Sequence, residues 1–133
     1  IAKAISAIQS HSTSNPTSFA QSGAVEALDG PQGHLDEWLG HFSQRRTFAC
    51  EKLNAIEGVS CVNSEGAFYL FPNISGTGMK SVEFCERLLA EVKVAAVPGI
   101  AFGSDDYIRI SYATSMENLQ QALERVESFV GSL

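Results

Sequence analysis

Apolar residues recur every three to four positions in several stretches before Gly58, and the period shortens towards two after it. That change predicts helices first and a mixture of strands and helices afterwards. Ile1, Ile5 and Ile8 fall on one helical face of "IAKAISAIQS". No capping residue precedes them, so the chain reads as if cut into a helix rather than started before one. The pattern breaks at "SHSTSNPTS", a cluster of loop formers. Asn15 or Ser14 is expected to cap the next helix, with Pro16 in its first turn. That helix carries "TSFAQSGAVEAL" and stops at Gly30-Pro31. A long helix should then run from Leu35 to Glu57, with Trp38, Leu39, Phe42, Ala49, Leu53 and Ile56 in its stripe and Gly58 as its stop.

Beyond Gly58, "VSCVNSEGAFYLFP" predicts a hairpin turning at Asn63 to Gly66. "MKSVEFCERLLAEVK" predicts a helix that buries Val82, Cys85, Leu88 and Leu89. "VAAVPG" predicts a short buried strand stopped by a Pro-Gly turn, and "DYIRISYA" a last strand rich in β-formers. Thr114 and Glu117 have the spacing of a capping box for a final helix, which should bury Leu119, Ala122, Leu123, Val126 and Val130. The expected fold class is α/β, with an α+β second part: helices followed by a small mixed sheet covered by helices. Two regions are expected, residues 1–57 and residues 58–133.

Composition adds exclusions. The chain has 133 residues, the size of one domain, with 44% apolar and 18% charged residues. A formal net charge of -6 argues against a nucleic-acid partner, which needs a basic face. No apolar run nears the roughly 20 residues that span a bilayer, and no signal-peptide pattern is present. Cys50, Cys61 and Cys85 are odd in number and widely spaced, which fits a reducing, cytoplasmic setting better than a disulfide framework.

The candidate chemistry centres on Arg109. On a strand, Tyr107, Arg109, Ser111 and Ala113 share one face, and Ile108, Ile110 and Tyr112 share the other. A guanidinium presents paired donors that match a carboxylate, and the small Ser111 leaves room for a ligand. The alternatives are an arginine on a solvated face, or one paired with Asp105 or Asp106. In "VPGIAFG", Pro98, Gly99 and Gly103 either let the backbone approach a ligand or simply make a turn. The "STSNPTS" loop either caps a helix or receives an anion at its N-terminus. His11, His34 and His41 lack metal-ligand spacing, and no C-x-x-C, G-x-S-x-G or phosphate-cradling glycine motif occurs. Lys3, Lys52, Lys80 and Lys93 fall on helices or their ends, none in a setting suited to a Schiff base.

Three collinear blocks, "STSNPTSFAQSGAVEAL", "GAFYLFPNI" and "VAAVPGIAFGSDDYIRISYATS", resemble the C-terminal third of class I aminotransferases, in particular the bacterial aspartate aminotransferase branch. The resemblance covers essentially the whole chain. It implies a fold-type I enzyme dependent on pyridoxal 5'-phosphate, a homodimer with active sites at the subunit interface. It implies amino transfer between an amino acid, aspartate foremost, and a 2-oxo acid. Arg109 would bind the substrate α-carboxylate, and Ser14 and Asn15 would lie near the neighbouring subunit's active site. Residues 1–57 would be helices of the large cofactor domain and the interdomain helix, and residues 58–133 the small domain. The family's Schiff-base lysine segment has no counterpart here and would lie upstream of Ile1. The resemblance therefore implies no catalytic residue in this chain, and no activity or tight cofactor binding by the chain alone. The alternative is a truncated, non-catalytic interaction or carboxylate-binding module.

Overall fold

Three helices form where the three- and four-residue spacing predicts them: α1 (Ala2–Ser12), α2 (Ser18–Asp29) and α3 (Gly33–Asn54). The computed structural model describes residues 1–133, and these divide into two compact units, Ile1–Asp36 and Glu37–Leu133. In the first unit α1 and α2 bury no residue. Thr17, not Ser14 or Asn15, stands at the N-terminal boundary of α2, and its side chain makes no capping bond. The reason is local. Proline excludes the helical region for the residue before it, and Thr17 is itself still extended, so the helix begins only at Ser18. Ser14 adopts the left-handed region at φ 60°.

The second unit holds the sheet and its core. The last turns of α3 bury Ala49, Cys50 and Leu53, whereas Leu35, Trp38 and Leu39 in its first half are exposed. The helix stops at Asn54, earlier than Glu57. Its side-chain amide donates to the Cys50 and Cys61 carbonyls at 2.9 and 2.8 Å, and its oxygen accepts from the Cys61 N–H at 2.8 Å. Asn54 thereby ties the returning chain to the helix end. Gly58 comes four residues later, at φ 81°, in a turn where its backbone lies directly against that of Gly76.

The predicted tight hairpin does not form. Ser60 meets Asn73 in a single antiparallel bridge, and β1 (Tyr69–Leu70) pairs instead with β3 (Ile108–Ser111). The intervening turn is held by the Ser64 hydroxyl donating to the Tyr69 carbonyl and by Arg46 donating to the Ser64 carbonyl. Strand β2 (Val97–Pro98) takes the other edge, giving the order β1-β3-β2. Both pairings are antiparallel, so the expected mixed sheet is antiparallel throughout. Alternation on β3 follows the predicted faces: Ile108, Ile110 and the adjoining Tyr112 are buried, while Arg109 is half-buried and Ser111 exposed.

Two helices cover the buried face. Helix α4 (Ser81–Val92) turns Ser81, Phe84, Cys85 and Leu88 inward, leaving the expected Val82 and Leu89 exposed. Ser81 sets that rotation. It is fully buried, its hydroxyl donates to the Asp105 carboxylate at 2.6 Å and accepts from the Ile100 N–H at 3.2 Å. Helix α5 (Met116–Val130) buries Leu119, Leu123, Val126 and Phe129, with Ala122 and Val130 half-buried. Phe129 meets Phe84 edge-on at 5.2 Å. The cap of α5 is Ser115, whose hydroxyl accepts from the Asn118 N–H at 3.1 Å, one residue beyond the expected Thr114–Glu117 box. No helix is long and apolar enough to cross a membrane.

Because the fully buried Ser81 hydroxyl serves the half-buried Asp105 carboxylate and the Ile100 amide together, Ser81→Ala is expected to cost about 1–3 kcal/mol in urea denaturation. Val82→Ala, one residue along on the exposed side, should stay within about 0.5 kcal/mol.

Candidate functional site

Register brings the site together. Arg109 lies directly opposite Val97 across the β2–β3 pairing, and Tyr69 lies opposite Ser111 across the β1–β3 pairing. Residues two apart on a strand share a face, so Tyr69, Arg109, Ser111 and Val97 all point to the side of the sheet away from the core. With Ala95 and Ala96 they line a cavity of about 130 Å³. That is the room of several water molecules, enough for a carboxylate and the carbon that bears it.

A further ring arrives from the turn after β2. Residues Gly99–Phe102 form one turn of 3-10 helix, and Gly99 sits so close to the Tyr107 and Ser104 carbonyls that a Cβ would collide with both. The Gly99 N–H donates to the Tyr107 carbonyl at 2.8 Å, and the Ser104 N–H to the Gly99 carbonyl at 3.0 Å. The close approach at Pro98-Gly99 is thus between two parts of the backbone, and the turn it permits sets Phe102 over Arg109. The guanidinium carbon stands 4.6 Å from the Phe102 ring centroid and 4.4 Å from that of Tyr69. Neither aromatic was singled out from the sequence, although both fall within the quoted blocks.

The acids that could have neutralised Arg109 are engaged elsewhere. Asp105 accepts from the Ser81 hydroxyl at 2.6 Å, and Asp106 accepts from Lys80 Nζ at 2.7 Å. No carboxylate forms an ion pair with Arg109. The hydrogen bond to Asp106, and then the charge of that carboxylate, raise the Lys80 pKa. Among the ways to satisfy a half-buried arginine, this one leaves its donors open to a ligand.

The other expected residues stand apart from this geometry. Ser14 and Asn15 belong to the first unit and are exposed. None of the four lysines lines the arginine cavity: Lys80 pairs with Asp106, Lys93 donates to the Ala90 carbonyl at 2.7 Å, and Lys3 and Lys52 are exposed. No lysine amine of these residues therefore stands at the arginine. No three His, Cys, Asp or Glu side chains gather as metal ligands. A larger cavity of about 410 Å³ lies elsewhere in the second unit, between the turn after α3 and the end of α5. Its charged lining residues are Glu57 and Glu127, which suit no anion.

A three-stranded antiparallel sheet, helices packed on one face and an unpaired arginine on the other, makes up the C-terminal portion of an aminotransferase fold. The crystal structure of the aspartate aminotransferase from Rhizobium meliloti superposes with a TM-score of 0.92 at 42% identity, over 97% of this chain and 35% of that one. The aromatic aminotransferase from Pyrococcus horikoshii OT3 gives 0.88 at 38% identity, over 94% and 34%. The family model for aminotransferase class I and II matches residues 1–126, and the chain belongs to that family. Among curated relatives, the aspartate aminotransferase of Bacillus subtilis (strain 168) is 50% identical over 98% of the chain. A probable aspartate/prephenate aminotransferase of Rickettsia bellii (strain RML369-C) is 48% identical over the same share. The chain spans about a third of these relatives' length, 34% and 35%.

Cys61 and Cys85 are poor nucleophiles. Burial first, and the neighbouring Cys50 thiol second, push the Cys61 pKa up to about 12, and burial pushes Cys85 up to about 11. Thiols held protonated in the fold but ionising near 9 when unfolded draw stability from their protons. That contribution is intact below about pH 9 and is lost as pH rises towards 12. Stability from urea denaturation should accordingly be flat from pH 7 to 8.5 and fall above pH 9, and native alkylation by iodoacetamide at pH 8 should run at least about tenfold slower than in urea.

Proposed function

We propose that this chain is the C-terminal part of a pyridoxal-phosphate-dependent aminotransferase, and that Arg109 binds the α-carboxylate shared by its amino acid and 2-oxo acid substrates. One observation carries the reading. Arg109 lines a small cavity with no acid of its own chain upon it, while Asp105 and Asp106 are held by Ser81 and Lys80. A guanidinium in that state accepts a carboxylate through two parallel N–H bonds, which fixes the position and rotation of the attached α-carbon. Both half-reactions of an aminotransfer present the same carboxylate, so one arginine serves both. Aspartate is the amino acid favoured, on the names of the relatives most like this chain.

Under this reading residues 1–57 are helices of a larger cofactor domain with the helix that leads out of it, and residues 58–133 are the small domain. The cofactor's covalent anchor, and the base that moves the α-proton, belong to chain outside these 133 residues. The chain alone does not transaminate. The working enzyme is a cytoplasmic homodimer in which Ser14 and Asn15, exposed and free of capping duty, approach the partner's site.

In the full-length protein, Arg109→Ala should lower kcat/KM by about 100- to 1,000-fold for every carboxylate substrate, the loss of a pair of charge-assisted hydrogen bonds. Arg109→Lys keeps the charge without the fork and should fall in between. Unchanged kinetics in Arg109→Ala would sink the assignment.

A further inference from the structure

We infer that Tyr69 and Phe102 are positioning residues: two rings that hold the Arg109 guanidinium flat and free of ion pairs, aimed for in-plane capture of a carboxylate. The inference rests on the proposed role of Arg109 and adds to it the groups that make that role possible.

Both rings lie within cation–π distance of the guanidinium carbon, at 4.4 and 4.6 Å. A guanidinium attracts aromatic rings through its faces, and its five N–H donors all lie in its plane. A ring on a guanidinium face stabilises the charge without consuming a donor. A carboxylate partner would do the opposite, since it would have to be displaced before substrate could bind. Arg109 makes no internal hydrogen bond or ion pair from its head group, so the rings are its principal anchors in the fold.

The rings are themselves fixed. Tyr69 is set by the β1–β3 register and packs against Phe68 at 4.5 Å. Phe102 meets Phe71 edge-on at 6.0 Å, and Phe71 stacks on Tyr107 at 5.0 Å. Phe102 remains 49% exposed although it is large and apolar. It packs no core, which leaves its contact with Arg109 as its evident use and makes it replaceable without loss of the fold.

The test uses steady-state kinetics of the full-length protein, with maleate as a competing dicarboxylate. Tyr69→Leu and Phe102→Leu should each raise KM for amino donor and oxo acid acceptor alike, by about fivefold, and weaken maleate inhibition in parallel, with kcat within about twofold. Tyr69→Phe and Phe102→Tyr, which restore a ring, should recover most of that loss. Leucine variants that leave KM and maleate inhibition unchanged, while Arg109→Ala is crippled, overturn the positioning role and leave the carboxylate reading standing. A fall in kcat and melting temperature together, without rescue by the ring-bearing variants, also overturns it. An unaffected Arg109→Ala removes the carboxylate reading and this inference with it.

Discussion

Much of the second unit turns on the bond between Ser81 and Asp105. The serine hydroxyl donates to the carboxylate at 2.6 Å and accepts from the Ile100 N–H at 3.2 Å, deep in the protein. This small junction joins the start of α4, the turn that carries Phe102, and the loop that leads into β3. It fixes the rotation of α4, so that Phe84 and Leu88 rather than Val82 and Leu89 meet the core. It also occupies the acid four residues before Arg109. Asp105 is half-buried, and a carboxylate partly removed from water is costly unless its oxygens are satisfied. Here the requirement that satisfies it is the same one that keeps it off the arginine.

The arginine was legible in the sequence because alternation on a strand is a local rule. "YIRIS" places Arg109 opposite its isoleucines, and the structure buries Ile108 and Ile110 and leaves Arg109 half-covered. What stands over the guanidinium was not legible. Tyr69 is forty residues away in sequence and reaches it through pairing with β3, a partner choice that periodicity cannot decide. Phe102 reaches it because Gly99 admits two carbonyls at a distance no other residue would allow. The same limit explains the missed hairpin. A run of turn residues at Asn63 to Gly66 suggests a local reversal, but Tyr69–Leu70 gains more from β3, which offers a buried face.

Helix boundaries failed for reasons of a single side chain each. Asn54 ends α3 early by binding Cys61, Pro16 delays α2, and Ser115 rather than Thr114 caps α5. At α3 and α5 a polar group found a better partner one to three residues from where the spacing put it, and at α2 proline's exclusion of the helical region did the work without any capping bond. The faces of α5 and of the end of α3 were more robust: Leu119, Leu123 and Val126, and Ala49 and Leu53, are buried as their spacing required, whereas on α4 Phe84 replaces the expected Val82 and Leu89. Apolar stripes fix which side turns inward, whereas caps depend on geometry outside the helix.

The two faces of the small sheet therefore carry different tasks by the same alternation. The inner face is closed by Phe84, Phe129 and their neighbours and gives the strands a fixed register. The outer face depends on that register for everything it presents, because Tyr69, Arg109 and Val97 come from three strands and meet only if both pairings hold. A ligand group built on one strand would tolerate slippage, whereas one shared by three does not. A one-residue slip at β1 would turn Tyr69 into the core and Leu70 onto the guanidinium. The core is thus what holds the arginine to its aim, and an aliphatic loss far from the cavity should reach the site through register before it unfolds the domain.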